Sequence, residues 1–227
     1  MAFFITGDTH GDFTRILKFI NKMELKEGDT ILILGDCGLF WRNDGKDAAA
    51  FIKEYEANYT CTIAFLAGNH ENYKKLSQIP VVDGIGEVSP HIKYLLSGSA
   101  YNIDGKVCLI VGGADSVDKF RRTQGLNWWK EEQITDKFTE DLISKCNGAH
   151  FDYVFTHAAP RSIFEQHKVE LCTLQLDEDT IDHTSEDNLQ KIMNVITFDN
   201  WRFGHYHQDL DLDEKFSILY NGFEEVI

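Results

Sequence analysis

The chain has 227 residues, 43% of them hydrophobic and 26% charged, with a formal net charge of −15 from 37 acidic against 22 basic side chains. That is the composition of a soluble globular protein long enough to bury a large core unaided, and no apolar run reaches membrane-spanning length. The acidic balance repels extended nucleic acid and anionic membranes unless a local basic patch overrides it.

Five cysteines (37, 61, 108, 146 and 172) are odd in number, widely spaced and never in C-x-x-C. This points to reduced thiols in the cytoplasm rather than a disulfide frame or a cysteine zinc site. The start, MAFFITGDTH, has neither a basic segment nor a cleavage site, so a strand is expected there and not a signal peptide.

The run AFFIT, ended by Gly-Asp, reads as a buried strand. DFTRILKFINKMEL follows, with Phe13, Ile16, Leu17, Ile20 and Met23 at helical spacing. TILILGD (30–36) is a second strand, DAAAFIKEYEANY a helix, TIAFLAGN (62–69) a third strand and ENYKKLSQ a helix. Strand–helix alternation predicts parallel strands covered by helices. Beyond Pro80 the short runs IKYLL, AYNI and KVCLIV have no helix between them, and Asp104-Gly105 marks a β-hairpin. A long polar segment (112–132) leads to Thr135, which could cap a helix burying Phe138, Leu142 and Cys146. FDYVFTHAAP is a strand, and HTSEDNLQKIMNVI opens with an N-cap pattern and turns Leu189, Ile192 and Ile196 inward. NWRFGHYH and KFSILYNGF close the chain as strands. With no repeat or linker, residues 1–227 are expected to form one mixed α/β domain; the acidic stretch QLDEDTIDHTSEDN is its most loop-like piece.

Polar residues of one chemical type recur where those strands end: Asp8 and His10 in GDTHGD, Asp36 in GDCG, Asn69 and His70 in GNHE, His157 in THAAP, and His205 and His207 in GHYH. Ligands of α/β sheets bind outside the carboxyl ends of the strands, so these residues are predicted to converge on one edge. Setting His70 aside, two aspartates, one asparagine and four histidines could serve two cations with Asp36 as the bridge. Imidazole and carboxylate without thiolate suit manganese, iron, zinc, nickel or cobalt, and are too rich in nitrogen for a calcium cage. Two such ions, about 3.5–4 Å apart, clamp phosphoryl oxygens and lower the pKa of a shared water to make the attacking hydroxide. His70, beside Asn69, is placed to stabilise the developing charge or to protonate the leaving group.

Taken together, G-D-x-H-G, G-D, G-N-H-E, a lone His and G-H-x-H, in order from Gly7 to His207, resemble the calcineurin-like metallophosphoesterase superfamily. The resemblance implies a four-layer αββα fold, a two-sheet β-sandwich flanked by helices, whose loops carry a dinuclear centre. It also implies Asp8, His10, Asp36 and His207 on one divalent ion, Asp36, Asn69, His157 and His205 on the other, manganese as first candidate, and His70 as the catalytic histidine. The second block departs from the protein-phosphatase pattern G-D-x-x-D-R-G: GDCGLFW lacks an arginine in its expected place.

Specificity is expected from segment 112–132, where Lys119, Arg121 and Arg122 with Trp128 and Trp129 could clamp a phosphate and stack a nucleobase. The alternative is packing, with the tryptophans in the core and the cations paired to Asp115, Asp118, Glu131 and Glu132. Packing is likewise the default for Phe40, Trp41 and Cys37, though the first two could wall the site and Cys37 could be a redox-sensitive thiol. His91, His150, His167 and His183 are expected on the surface.

These residues suggest a metal-dependent hydrolase of a small phosphomonoester or phosphodiester, nucleotide-like substrates included. The alternatives are a nuclease or RNA-processing phosphodiesterase and a non-catalytic binding protein. Were GHYH extended, His205 and His207 would face one side about 6.5–7 Å apart, one arm to each ion, with Tyr206 turned away.

Overall fold

The computed structural model describes residues 1–41, 46–171 and 181–226. In chain order these form β1 (Phe3–Thr6), α1 (Thr14–Met23), β2 (Thr30–Ile33), α2 (Lys46–Asn58), β3 (Thr62–Phe65), α3 (Tyr73–Leu76), β4 (Val81–Val82), β5 (Ile85–Ser89), β6 (Ile92–Leu95), β7 (Ala100–Ile103) and β8 (Lys106–Val111). Two 3₁₀ turns follow, at Lys119–Arg121 and Lys130–Glu132. Then come α4 (Asp136–Cys146), β9 (His150–Thr156), α5 (Arg161–Gln166), α6 (Lys168–Leu171), α7 (Thr184–Met193), β10 (Thr197–Phe203), β11 (Leu210–Asp211), β12 (Phe216–Ile218) and β13 (Phe223–Glu225).

The strands make two mixed sheets, ordered β13-β1-β2-β3-β6-β5-β4 and β11-β12-β10-β9-β8-β7. β1, β2, β3 and β6 are parallel in the first, and β8, β9, β10 and β12 in the second. Antiparallel strands flank both parallel sets. One face of each sheet meets the other: Phe3, Ile5, Leu32 and Leu34 pack with Cys108, Ile110 and Phe155. Opposite faces take helices, so Phe4, Ile31 and Ile33 join Ile16, Ile20 and Tyr55, while Leu109, Val154 and Trp201 join Leu142, Leu189 and Ile192. The result is the αββα layering expected, and it explains the unbroken apolar runs. A strand covered on both sides has no polar face. Burying each such Ile or Leu contributes about 1.5–3 kcal/mol.

Local signals hold in detail. Thr135 accepts a hydrogen bond from the Phe138 amide at 3.2 Å, as an N-cap does. Asp104 and Gly105 both take positive φ (48° and 86°), the two-residue turn whose twist matches a hairpin. Other expectations are corrected. Met23 is exposed, because α1 ends there and Glu24 turns left-handed. α3 is a single turn. Before α7 the capping oxygen belongs to Asp182, which accepts from the Thr184 amide at 3.1 Å, while the N-cap position itself is His183. Thr184–Met193 is helical with Ser185 and Asn188 buried, so the acidic stretch is a loop only in part; its first residues, 175–180, lie outside the described ones, as does Cys172. The remaining cysteines are free and buried. Among the described residues no helix is long and apolar enough to cross a membrane.

Candidate metal centre

Because the central strands of each sheet are parallel, their carboxyl ends share an edge, and links between the sheets bring the two sets of ends together. The Gly113 amide donates to the Ala67 carbonyl at 2.8 Å, and His157 Nδ1 donates to the Leu34 carbonyl at 2.8 Å. The second bond fixes the tautomer of a fully buried imidazole and leaves Nε2 for the centre. Nε2 there faces two oxygens, Asn69 Oδ1 at 3.1 Å and Asp36 Oδ1 at 3.3 Å.

Asp36 is buried at the middle of the cluster. Its Oδ2 lies 3.9 Å from His10 Nδ1 and 4.0 Å from His70 Nε2, and its Oδ1 accepts from the His70 amide at 2.6 Å. Burial alone would raise this carboxyl; His157, His70 and His10 outweigh it and hold it well below the usual range. Asp8 sits opposite, with Oδ2 3.2 Å from His207 Nε2 and 3.7 Å from His10 Nε2, and the two imidazole Nε2 atoms are 2.9 Å apart. Three sets of donors thus converge within ligand reach: Asp8, His10 and His207; His10, Asp36 and His70; and Asp8, Asp36 and His157. His205 completes the group, its ring 4.9 Å from that of His157 and its amide donating to Asp8 Oδ1 at 3.0 Å.

The backbone here is strained. Of seven non-glycine residues with positive φ among those described, four are candidates: His10 (48°), Asp36 (47°), His205 (68°) and His207 (54°). Each such conformation costs about 1–3 kcal/mol and persists only where its surroundings enforce it. The surroundings do. The Thr9 and His10 amides donate to the Asp36 carbonyl at 3.1 and 2.8 Å, zipping the first two loops together. Arg15, from α1, holds the carbonyls of Gly7 and Asp8 at 2.6 and 2.8 Å. GHYH is therefore not extended: β10 stops at Phe203 and both histidines are left-handed. His207 still meets Asp8 and His10, but through a turn and not through strand alternation. Tyr206 does point away, its hydroxyl donating to Glu186 at 3.0 Å and accepting from the Ala159 amide at 3.2 Å.

Several contributors carry no motif of their own. Ser116 Oγ accepts from Asn69 Nδ2 at 3.1 Å, which turns Asn69 Oδ1 toward His157. Glu132 in turn accepts from the Ser116 amide at 2.8 Å and from Trp128 Nε1 at 2.9 Å. Segment 112–132 thus props up Asn69. Glu71 is buried and accepts from the Gly38 amide at 3.2 Å; burial, then the Asp36 charge, push its carboxyl up to about 8.

A family model for calcineurin-like phosphoesterases matches residues 1–209 of the chain. This protein belongs to the calcineurin-like phosphoesterase family. No curated protein matches it. Membership makes a divalent-metal-dependent phosphoesterase of the clustered histidines and aspartates, and the cluster fits such ions on its own terms. Asp8 Oδ2 is buried and accepts no well-formed hydrogen bond, two imidazole nitrogens face each other, and a third faces two oxygens. A cation would meet the unsatisfied Asp8 Oδ2, and the nitrogen–oxygen donor set suits Mn, Fe or Zn.

Beside the phosphoesterase cluster opens a cavity of about 530 Å³ lined by Asp36, Asn69, His70, His205 and His207 on one side and by Phe120, Arg121, Arg122, Phe164 and Tyr206 on others. Of the residues expected to confer specificity, Arg121 and Arg122 reach this cavity. Lys119 is tied to Asp182, another of its wall residues, at 2.5 Å. Trp129 is 4% exposed and, with Tyr73 and Tyr94, lines a different cavity, and Trp128 is held by Glu132, so neither tryptophan faces the cluster. Phe40 packs in the first sheet's helix-covered core, whereas the Trp41 ring is 4.8 Å from that of His70 and does wall the site. His183 is no surface residue: it pairs with Glu186 and lines the cavity. His91 is bound to Glu56 at 2.7 Å, and His150 is exposed.

Gly68 shows how closely the loops approach. A Cβ there would lie 2.2 Å from Asp36 Oδ1 and 2.7 Å from His157 Nε2. Gly68→Ala is expected to displace both side chains at a cost of about 1–3 kcal/mol. Metal content and phosphoesterase activity should fall together while circular dichroism stays native; an unaltered metal content would show that the site tolerates the shift.

Proposed function

We propose that this phosphoesterase works through a dinuclear metal centre on a small phosphoester, as one metallophosphoesterase domain spanning residues 1–227, in the cytoplasm. What supports the proposal is the gathering of Asp8 with His10 and His207, of Asp36 with His10 and His70, and of Asp8 and Asp36 with His157, with Asn69 Oδ1 3.1 Å from His157 Nε2 and the His205 ring beside that of His157. Asp8, His10, Asp36 and His207 would hold one ion; Asp36, Asn69, His157 and His205 the second. Manganese is the first candidate, with iron, zinc, nickel or cobalt as alternatives.

When bound, the cations polarise the phosphoryl group and activate water. The side chains do the rest. His157, locked by Leu34, and Asn69, locked by Ser116, present fixed donors. The water oxygen bonds to phosphorus as the P–O ester bond breaks, and His70 supports the departing oxygen by charge stabilisation or by giving it a proton. At rest His70 is neutral, since burial outweighs the pull of Asp36 and holds its pKa down to about 4, so any proton it gives the departing oxygen is one it has first taken from the attacking water.

Hydrolysis of an aryl phosphate should disappear on dialysis against a chelator and return with added manganese; persistence in metal-free protein would refute the proposal. The nuclease reading has one point in favour, the exposed Phe120 beside Arg121 on the cavity wall. It requires a steep fall in activity with rising salt, whereas a small ester gives a shallow one. A non-catalytic binding role leaves His70 without a task.

A further inference from the structure

The loop after Asp36 has Phe40 where protein phosphatases of this family carry an arginine. A guanidinium stands over the cluster all the same. Arg122, at the end of the Lys119–Arg121 turn, places Nη2 3.1 Å from His70 Nε2, and its guanidinium lies 5.5 Å from the centre of the Trp41 ring. Its Nε is 2.7 Å from Asp118 Oδ1, although that oxygen receives no properly angled hydrogen bond. Nη1 is buried and has no acceptor among the described residues, in a side chain only 11% exposed. An unmet charged donor in a cavity wall is costly to leave so, and a planar fork of N–H groups suits phosphate oxygens.

We propose that Arg122 grips the substrate's phosphoryl group, supplying from a distant turn the arginine missing after Asp36, and that the preferred substrate is in consequence a phosphomonoester. This rests on the phosphoesterase reading above. A monoester offers three non-bridging oxygens and a diester two, so a recognition group added to the cluster finds an unclaimed, charged oxygen in the monoester only. Asp118 and Trp41 flank the guanidinium, and His70 Nε2 occupies Nη2 until phosphate arrives.

The test uses metal-replete protein and two readouts: inorganic phosphate binding by calorimetry, and kcat/KM for 4-nitrophenyl phosphate against bis(4-nitrophenyl) phosphate. Arg122→Ala should weaken phosphate binding about ten- to hundredfold, the loss of charged hydrogen bonds, with metal content and melting temperature kept. Monoester kcat/KM should fall by a similar factor and diester hydrolysis by much less. Added guanidinium should restore part of the monoesterase rate, which a purely structural arginine would not allow. Arg122→Lys, which keeps the charge and loses the fork, should fall between, and it decides the matter if the alanine variant does not fold. Wild-type phosphate affinity in the folded variants overturns the proposal. If wild-type protein hydrolyses neither ester, the hydrolase reading fails, while Arg122-dependent phosphate binding still reports on this one.

Discussion

Asp36→Asn is expected to abolish hydrolysis of an aryl phosphate and to lower bound metal. The carboxylate is 1% exposed and has His157, His10 and His70 within 4.0 Å, so the substitution removes the one negative charge common to all three. Taking one partner out of a buried charged set costs about 3–5 kcal/mol, a factor of about 10²–10³ or more in affinity. Asparagine is nearly isosteric and can still accept from the His70 amide, so the fold should survive and the loss can be assigned to charge. Metal analysis alongside initial rates makes the check; full activity in this variant sinks the dinuclear scheme.

His70→Ala should separate chemistry from metal binding. His70 is bonded to Asp36 through its backbone and to Arg122 through its ring, so truncating the ring leaves the Asp36 contact in place. Turnover should fall about 10²–10⁴-fold, the usual contribution of a positioned acid or base, with metal content at the wild-type level. Two leaving groups tell its roles apart. If His70 gives a proton, an alkyl phosphate, whose alkoxide leaves poorly, loses far more rate than 4-nitrophenyl phosphate. If it only stabilises charge, the two losses are alike. Loss of bound metal in this variant would place His70 among the ligands.

The polar residues at strand ends were legible in the sequence because each follows an apolar run closed by glycine, and parallel strands put such ends on one edge. Asp8, Asp36, Asn69 and His157 come together in this way. The hairpin at Asp104-Gly105 and the Thr135 cap were legible for a similar reason, since both are decided by a few neighbouring residues. Where a segment depended on distant contacts, the sequence misled. GHYH looked like the end of a strand, yet Asp8 takes the His205 amide and the chain turns left-handed. Trp128 and Trp129 beside three cations left a nucleotide clamp and core packing both open, and it is Glu132 and the Trp41 ring that take them.

By itself, then, the sequence determined the helix-covered parallel strands, the order of most elements and the chemical character of the edge, because burial on both faces of a strand and turn preferences are written locally; the two-sheet layering was implied only by the family resemblance. Only the tertiary structure decided which donors meet, that Ser116 and Glu132 orient Asn69, and that Arg122 rather than Lys119 stands over His70. Those outcomes depend on contacts between residues 16 to 197 positions apart, and a side chain's partner across such distances is fixed by packing and by competition among buried polar groups, not by spacing along the chain.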